Sequence, residues 1–399
     1  MNDILKILVV FILIIVLLRR RWNLGMVMLI ASVALGALYK IGPMKQAHAA
    51  FSAAVDIVTV NLVTGLVLIM VLENIIRKRG LLRKMTESLS SLAHDPRITM
   101  AVLPGVIGLL PSAGGAAFSA PMVQEAAGDI LIPPERRALI NYWFRHIWEY
   151  ISPLYPGIVL AAAVTRMQIN DLLLSQLSLP LAVVGVGALL CFRGIEISRT
   201  EGRRSLKDVK TLFVSLLPIT ASLIMVVGFN MPLSIAMAAI VLALFAIFRY
   251  SAADIRQTLK ESVSLNIVVM VIGIMVFKGM LDASGAIEAV PVFFAKSGLP
   301  SGVVFFALPF IVGLLTGLTV GFVGATFPII TAMSAGSPDP GVVTFAFASG
   351  FAGVMLSPTH LCLLLTVRYF KADIARTYRL LYLPVALVFA VGLIRLWTR

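Results

Sequence analysis

The stretch LPGVIGLLPSAGGAAFSAPMV, residues 103–123, decides the fold of this chain. It is apolar enough for a bilayer, but Pro104, Pro111 and a Gly-Gly pair at 114–115 interrupt it. Proline removes a backbone donor and glycine loosens a helix, so the segment should not cross a membrane as one continuous helix. It predicts two short helical arms joined by a turn, which a membrane tolerates only where protein buries it or it lines a wet cavity.

A second stretch repeats this pattern in the other half of the chain. LPFIVGLLTGLTVGFVGATFPII, residues 308–330, shares its Leu-Pro and Gly-Leu-Leu with the first stretch at an offset of 205 residues. Ser-Ala-Pro at 119–121 then matches Thr-Phe-Pro at 326–328, at an offset of 207 residues. Apolar segments interrupted at corresponding places in two halves are the best sequence indication of a transporter binding site.

The composition indicates a polytopic membrane protein. Of the 399 residues 59% are hydrophobic and only 13% are charged, whereas soluble domains are about 45–50% apolar and about 25% charged. The net charge of +14 does not indicate a nucleic-acid partner, because the basic residues cluster between apolar segments as cytoplasmic loops do. The N-terminus lacks a basic n-region and a small-residue cleavage motif, which predicts a retained first helix.

Apolar runs of about 17–25 residues are candidates for membrane-spanning helices, and here they follow one plan twice. The third helix of each half is predicted at 52–76 and 257–281. The predicted units are a first repeat 1–192 with hairpin 98–127 and broken helix 138–165, a cytoplasmic linker 193–210, and a second repeat 211–399 with hairpin 302–333 and broken helix 341–367.

The basic residues predict the topology. With both termini outside, most of the 33 Lys and Arg residues fall in cytoplasmic loops, provided that both interrupted segments return to the side from which they enter. Each half then has five transmembrane helices and one re-entrant hairpin. Because five is odd, the second half is inverted relative to the first. The predicted fold class is an all-α, multi-pass protein of the plasma (inner) membrane, built as an inverted repeat.

The two hairpin tips are expected to meet near the middle of the bilayer. Free carbonyls there suit Na⁺, and amides at the start of a following half-helix suit an anion. The alternative is that the small residues only permit close helix packing. The candidate substrate-binding residues at the tips are Ser112, Gly114, Gly115, Ser119, Thr316, Gly317, Thr319 and Thr326. The candidate Na⁺ site is the backbone of Ser112, Gly114, Thr316 and Thr319.

The broken helices supply a second group of candidates. Ser152-Pro153 and Ser357-Pro358 are equivalent at the offset of 205 residues, and each proline frees a backbone carbonyl. An ordinary proline kink is the alternative interpretation. The candidates for substrate contact here are Ser152, Ser357, Thr359 and His360, and His360 is also a candidate for proton coupling.

The run NYWFRHIWEY, residues 141–150, is the densest polar cluster within a predicted span. On a helix, Glu149 can reach either Arg145 or His146. Ionisable residues inside a membrane are costly and indicate function by default. Arg145 is the candidate anchor for a carboxylate, because its planar fork suits bidentate recognition. His146 and Glu149 are candidate proton carriers. A structural salt bridge near the cytoplasmic end is the alternative.

Several motifs do not occur. The chain has no G-x-x-x-x-G-K-[ST], no H-E-x-x-H and no Cys/His spacing typical of a metal site. Cys191 and Cys362 both lie in apolar runs, so neither a disulfide framework nor a metal site is predicted. We therefore expect no catalytic residues and no cofactor apart from a possible Na⁺.

Three runs carry a resemblance to a known superfamily: GLLPSAGGAAFSAPMV at 108–123, NYWFRHIWEYISPLYP at 141–156 and GLLTGLTVGFVGATFP at 313–328. The chain resembles the ion-transporter superfamily, which includes divalent anion:sodium symporters, citrate and gluconate permeases and the large membrane subunit of TRAP transporters. Within it, the chain is most similar to an integral-membrane family defined as a domain of unknown function. The better-known symporters carry Ser-Asn-Thr at both tips, and this chain has Pro-Ser-Ala-Gly-Gly and Thr-Gly-Leu-Thr instead.

The resemblance implies an elevator mechanism, in which hairpins and broken helices form a transport domain and the other helices form a scaffold that makes a homodimer. The sequence therefore predicts a secondary active transporter, not an enzyme, that moves a small organic anion coupled to Na⁺ or H⁺. Two alternatives remain open at this point. One is a cation/proton antiporter, and the other is a membrane-embedded enzyme; both would use His146 and Glu149.

Overall fold

The chain is helical wherever the structure describes it. The computed structural model describes residues 3–92, 95–111, 115–195, 205–285, 300–334 and 336–397, and this part of the chain contains no β-strand. The candidate residues Ser112 and Gly114 lie outside the described residues, as does half of the predicted linker at 193–210.

The helices of the first half are α1 (Asp3–Arg19), α2 (Leu24–Leu38), α3 (Pro43–Val55), α4 (Ile57–Lys78), α5 (Leu81–Leu92), α6 (Pro96–Ile107), α7 (Gly115–Ala127), α8 (Pro134–Arg145), α9 (Pro156–Thr165), α10 (Ile169–Gln176) and α11 (Ser178–Leu190). Those of the second half are α12 (Leu206–Leu223), α13 (Leu233–Ile247), α14 (Ala252–Ser262), α15 (Leu265–Ser284), α16 (Ser301–Thr316), α17 (Thr319–Met333), α18 (Pro340–Met355), α19 (Leu361–Phe370) and α20 (Ile374–Trp397).

Five helical segments of the described chain are long and apolar enough to cross a membrane by length and composition: Ile57–Lys78, Ile169–Leu190, Leu206–Gly228, Leu265–Ser284 and Ile374–Trp397. The other apolar helices have 10–17 residues, and those of the interrupted segments and broken helices are among them. The architecture is therefore that of a helical membrane protein, as expected from the composition.

The third helix of each half begins later than the sequence predicts. The Asp56 side chain accepts a hydrogen bond of 2.9 Å from the backbone of Val58, which caps α4, so the predicted span 52–76 merges the end of α3 with α4. Ser251 and Asp254 form a capping box that starts the separate helix α14, so the predicted span 257–281 also merges two helices. Local capping by a short polar side chain, which hydropathy does not detect, explains the late start of α4. The break between α14 and α15 lies at Ser264, which makes no side-chain capping bond.

Neither interrupted segment is one continuous helix. In the first, α6 ends at Ile107, α7 begins at Gly115, and the two helices pack against each other. In the second, α16 ends at Thr316 and α17 begins at Thr319, and these helices also pack together. Gly317 ends α16 in the left-handed conformation, with φ of 63°, which glycine adopts without steric cost.

The two broken helices are divided at their Ser-Pro positions. In the first, α8 ends at Arg145, a 3₁₀ turn spans Ile147–Tyr150, and α9 begins at Pro156. In the second, α18 ends at Met355 and α19 begins at Leu361. Because the backbone between the two pieces of each helix is not α-helical, its side chains project in directions that a continuous helix does not allow.

Equivalent contacts recur in both halves at the offset of 205 residues. A Cβ on Gly108 would clash with the carbonyl oxygen of Arg145, where α6 crosses α8. A Cβ on Gly313 would clash in the same way with the carbonyl oxygen of Gly350, where α16 crosses α18. Both members of each pair are related by the same offset (108 to 313, and 145 to 350). The two halves therefore share one close helix crossing, which only a residue without a side chain permits.

The two halves also pack reciprocally. The second helix of each half lies against the third helix of the other, as α2 with α15 and α13 with α4. Each contact includes a polar pair: Asn23 Nδ2 donates to Asn266 Oδ1 at 3.4 Å, and Ser234 Oγ donates to Asn61 Oδ1 at 2.6 Å. In the same way α7 packs on α19, and α17 packs on α9. The reciprocal contacts bring both interrupted segments and both broken helices to one region of the molecule.

Candidate functional site

One partly buried contact joins the first broken helix to the second interrupted segment. Glu149 lies in the 3₁₀ turn after α8, and Thr319 is the first residue of α17. The Thr319 hydroxyl donates a hydrogen bond of 2.7 Å to Glu149 Oε2. Gly157, at the start of α9, lies so close to Thr319 that a Cβ there would clash with its methyl group. Since a buried carboxylate is costly without hydrogen bonds, Thr319 stabilises Glu149 in this position.

A second contact joins the two broken helices. His146 Nε2 and His360 Nε2 lie 3.1 Å apart, and both side chains are buried. His146 Nδ1 lies 2.5 Å from the carbonyl oxygen of Tyr142. A carbonyl only accepts, so Nδ1 carries the hydrogen, and His146 Nε2 must accept from the Nε2–H of His360. Glu149 Oε1 lies 3.6 Å from His146 Nε2, which places the carboxylate beside this imidazole pair.

A buried cation and a thiol complete the cluster. Arg145, the last residue of α8, is 3% exposed, and its guanidinium lies beside the Cys362 thiol and within electrostatic reach of Glu149. Cys362 is the second residue of α19 and is buried. We refer to the following set as the polar centre: Arg145, His146, Glu149, Thr319, His360 and Cys362.

The hydroxyls of the second break hold the end of α16 instead of joining the polar centre. Ser357 Oγ donates a hydrogen bond of 2.7 Å to the carbonyl oxygen of Leu314, and Thr359 Oγ1 donates one of 3.3 Å to the carbonyl oxygen of Leu315. These carbonyls belong to the last turn of α16, which has no further helical donors. The backbone of Gly317 packs directly on His360 and Ser357. The second tip and the second break are therefore joined by hydrogen bonds and direct backbone contact.

The first break holds the end of α6 with different side chains. Tyr155 donates from its hydroxyl, at 2.5 Å, to the carbonyl oxygen of Gly108, and Trp148 Nε1 donates, at 2.8 Å, to that of Gly105. The role of Ser357 in the second half is thus taken by aromatic donors in the first half. Ser152, the counterpart of Ser357, is buried, and its hydroxyl oxygen accepts a hydrogen bond of 3.3 Å from the backbone N–H of Leu154.

The remaining candidates lie along the hairpin arms. Gly115 is the first residue of α7 and is buried. The hydroxyls of Ser119 and Thr326 bond to carbonyls of their own helices, at 3.4 Å and 2.7 Å. Thr316 likewise bonds to the carbonyl of Val312 at 2.8 Å. The hydroxyls of Ser119, Thr316 and Thr326 therefore form hydrogen bonds within their own helices. The polar centre is formed instead by side chains that include Arg145, His146, Glu149, Thr319 and His360.

Sequence reasoning missed three contributors to this region. Cys362 was assigned to an apolar run, but His360-x-Cys362 brackets the start of α19, and the extended backbone of His360 turns both side chains to one side. Asn141 Nδ2 donates 2.9 Å to Thr366 Oγ1, and the Tyr142 hydroxyl donates 3.0 Å to the carbonyl of Met355. These bonds link residues more than 200 positions apart, so no spacing within one helix predicts them.

A cavity of about 1040 Å³ lies between α9–α10 and the helices α3, α4, α13 and α15. Its lining reaches Val159, two residues beyond the Gly157 that contacts Thr319. Its charged lining residues include Asp56, Arg166, Lys278 and Asp282. Arg166 Nη2 lies 3.6 Å from Asp282 Oδ2, and Lys278 Nζ donates 3.2 Å to the carbonyl of Ala163. The cavity therefore approaches the polar centre along α9.

Broken helices and interrupted hairpins around a buried polar centre define the class: this is a helical membrane protein. The crystal structure of the Alcanivorax borkumensis YdaH transporter, described as revealing an unusual topology, is similar with a TM-score of 0.66. The match covers 93% of this chain and 96% of that chain at 12% sequence identity, so it shows the fold alone.

The sequence itself identifies the family. Residues 3–398 match the family described as "Protein of unknown function (DUF401)", and the chain belongs to it. This confirms the expected integral-membrane family defined as a domain of unknown function, while the relationship to anion symporters stays a prediction. No curated protein sequence matches the chain.

Proposed function

We propose that this protein is a secondary active transporter of a small organic anion. The observation that carries the proposal is the polar centre itself: a buried arginine, a carboxylate and two imidazoles, gathered where two broken helices meet a hairpin tip. Ionisable groups buried at such depth are costly and indicate a transport or ligand site. The transporter fold of the YdaH neighbour supports the same class and favours transport over catalysis.

The repeated contacts support an inverted repeat. The contact between Gly108 and Arg145 in the first half corresponds to the contact between Gly313 and Gly350 in the second half. The two halves also pack reciprocally, α2 against α15 and α13 against α4. In addition α7 packs on α19 and α17 packs on α9, so each hairpin arm contacts the broken helix of the opposite half. Such an exchange of partners is what a pseudo-two-fold axis within the membrane plane produces.

We propose an elevator movement for this repeat. The transport domain would comprise the hairpins and broken helices together with the closing helices, α6–α11 and α16–α20, with α1–α5 and α12–α15 as a dimeric scaffold. The resemblance alone leaves the closing helices in the scaffold, but α20 packs on α18 and α8, and α11 packs on α8 and α20. The large cavity lies between these two groups of helices, and a few polar contacts such as Arg166–Asp282 bridge it. Because a cavity occupies part of this boundary, the transport domain can slide against the scaffold.

Arg145 is the proposed anion anchor and Glu149 the proposed proton carrier. A guanidinium with its fork buried in a low-dielectric site binds a carboxylate far more strongly than an exposed one does. Glu149, His146 and His360 form a chain of titratable groups whose neighbouring atoms lie 3.6 Å and 3.1 Å apart, which favours H⁺ over Na⁺ as the coupling ion. The tip backbone remains the proposed place for Na⁺.

The same chain also supports a second candidate, cation/proton antiport, in which the Glu149 carboxylate would exchange a cation for a proton. The two functions differ in the sign of the transported solute and in the role of Arg145. A buried arginine beside the carboxylate opposes a bound cation, which makes the anion transporter the better supported of the two.

The test begins with purified protein and a panel of small carboxylates, with and without Na⁺, measured by thermal shift. The carboxylates that stabilise the protein are then offered to proteoliposomes under a proton gradient, a sodium gradient or neither. We expect gradient-driven uptake of at least one carboxylate. Stabilisation and transport of inorganic cations alone would establish the antiporter, and turnover of a substrate without any gradient would establish an enzyme.

A further inference from the structure

We propose that His146, His360 and Cys362 form a binding site for one thiophilic transition-metal ion, with Cu⁺ as the preferred ion. The proposal goes beyond anion transport and does not depend on it. The side chains are buried at 2%, 6% and 9% exposure, and they belong to both broken helices. None of the residues was predicted as a metal ligand from sequence spacing.

The three ligand atoms converge on one point. One ring nitrogen of each histidine and the sulfur of Cys362 lie within 4.8 Å of one another, and the two Nε2 atoms are 3.1 Å apart. A metal bonded at about 2.0–2.1 Å to nitrogen and about 2.3 Å to sulfur places such donors roughly 3.4–3.7 Å apart. The site therefore needs shifts of about 1 Å or less to close around an ion.

The histidine rings are already oriented for ligation. The carbonyl of Tyr142 fixes the Nδ1–H tautomer of His146, which leaves its Nε2 lone pair pointing at the site. Metal-binding histidines are held by this kind of bond to a backbone carbonyl. The His360 ring lies beside the backbone of Val354, and its buried Nδ1 can take the hydrogen that Nε2 gives up when a metal enters.

The surrounding charge favours a monovalent ion. When the Cys362 sulfur binds a metal, its thiol proton leaves, so Cu⁺ replaces H⁺ and the buried net charge does not change. A divalent ion would add one positive charge beside the Arg145 guanidinium, which lies next to the same sulfur. Thiolate is also a soft ligand that selects Cu⁺. Zn²⁺ would require Glu149 as a fourth ligand, from its present position 3.6 Å from His146 Nε2.

The experiment is a Cu⁺ titration of the purified full-length protein under reducing, anaerobic conditions, in competition with a chromophoric Cu⁺ chelator. We expect one Cu⁺ per chain in the wild type. Cys362→Ser and His360→Ala should weaken binding by more than the 10- to 100-fold that losing an outer-shell partner typically costs. Cys191→Ser and His48→Ala are the matched controls, because these residues lie away from the polar centre, and they should bind as the wild type does.

Two measurements keep the proposal falsifiable if a variant is unstable. Gel filtration of each variant without metal shows whether it is folded. X-ray absorption of the wild type loaded with Cu⁺ should show two nitrogen neighbours and one sulfur neighbour. The proposal is overturned if the folded Cys362→Ser variant binds Cu⁺ like the wild type, if Cys191→Ser loses binding to the same extent, or if Zn²⁺ displaces Cu⁺ from the wild type.

Discussion

Thr319 donates a 2.7 Å hydrogen bond to the Glu149 carboxylate across 170 residues of sequence. The bond joins the 3₁₀ turn of one half to the first residue of α17 in the other. It makes the position of a buried carboxylate depend on both halves at once. A change in the protonation of Glu149 therefore acts directly on the contact between a broken helix and a hairpin tip, which is the coupling that gradient-driven transport needs.

Glu149→Gln tests the proton-carrying role. Glutamine has the same shape and still accepts the Thr319 hydrogen bond, so the fold should be retained, but its side chain takes up no proton. We expect proton-driven uptake to be abolished while exchange of labelled for unlabelled substrate across the vesicle persists. The measurement is uptake and counterflow in proteoliposomes with a known pH gradient.

Glu87→Gln is the control for that variant, because Glu87 lies on α5 with 58% of its side chain exposed and pairs with Arg83 on the same helix. It should transport as the wild type does. If Glu149→Gln still concentrates substrate in response to a pH gradient, the proton is carried elsewhere or Na⁺ drives the cycle.

Arg145→Gln tests the anion anchor. Hydrogen bonds to charged groups contribute about 1.5–3 kcal/mol, which corresponds to roughly a 10- to 100-fold rise in the Kd of a carboxylate substrate. Arg145→Lys should lie between this variant and the wild type, because it keeps the charge and loses the planar fork. Isothermal titration with the carboxylate found in the thermal-shift panel gives the affinities.

Arg83→Gln serves as the matched control for charge removal, since the Arg83 side chain is 81% exposed on α5. An affinity unchanged in Arg145→Gln would move the anion to the backbone amides at the hairpin tips.

The parts of the fold that follow from local chemistry could be predicted from the sequence, and the parts that follow from tertiary contact could not. Pro111 and the glycines of the hairpin tips interrupt apolar runs in the sequence, and this interruption predicts that each segment is split into two helices. Asp56, by contrast, caps a helix that hydropathy extends through it. Helical spacing predicts only Arg145 and His146 as neighbours of Glu149, whereas its hydrogen-bond donor is Thr319 in the other half.

The same limit applies to the polar centre. His146 and His360 meet across 214 residues, and Cys362 joins them only because α19 starts at Leu361. Each of these contacts depends on where a broken helix ends, and element ends are the least predictable feature of a sequence. What the sequence does contain is the repeat offset of 205 residues, which relates Gly108 to Gly313.

This pair of glycines provides a stability test. Gly108→Ala and Gly313→Ala each place a methyl group against a backbone carbonyl of the neighbouring helix, which cannot move aside as a flexible side chain does. Overpacking of this kind costs about 1–3 kcal/mol, so both variants should melt at lower temperature by similar amounts. Fluorescence-detected gel filtration after heating measures the change in detergent.

Gly185→Ala is the internal reference for these variants. Gly185 lies within α11 with open space where its Cβ would be, so the substitution should leave the melting temperature unchanged or raise it. A Gly313→Ala variant as stable as Gly185→Ala would show that α16 and α18 can separate without cost, and the two crossings would then not be equivalent.

Cross-linking across the cavity tests whether the proposed transport domain moves against the scaffold. Arg166, which follows α9, and Asp282 on α15 lie on opposite sides of that boundary, with charged atoms 3.6 Å apart and side chains 69% and 39% exposed. Arg166→Cys combined with Asp282→Cys, bridged by a short bifunctional methanethiosulfonate, should stop transport, and reduction should restore it. Lys78→Cys with Glu261→Cys is the matched pair, because that salt bridge of 2.5 Å joins α4 to α14 within the scaffold and both of its side chains are 38% exposed. Its cross-link should leave transport intact, since an elevator carries its substrate without deforming the scaffold.

Full transport by the cross-linked 166–282 protein would mean that α9 and α15 stay in register throughout the cycle, and the site would then have to open by local movement of the hairpin tips alone.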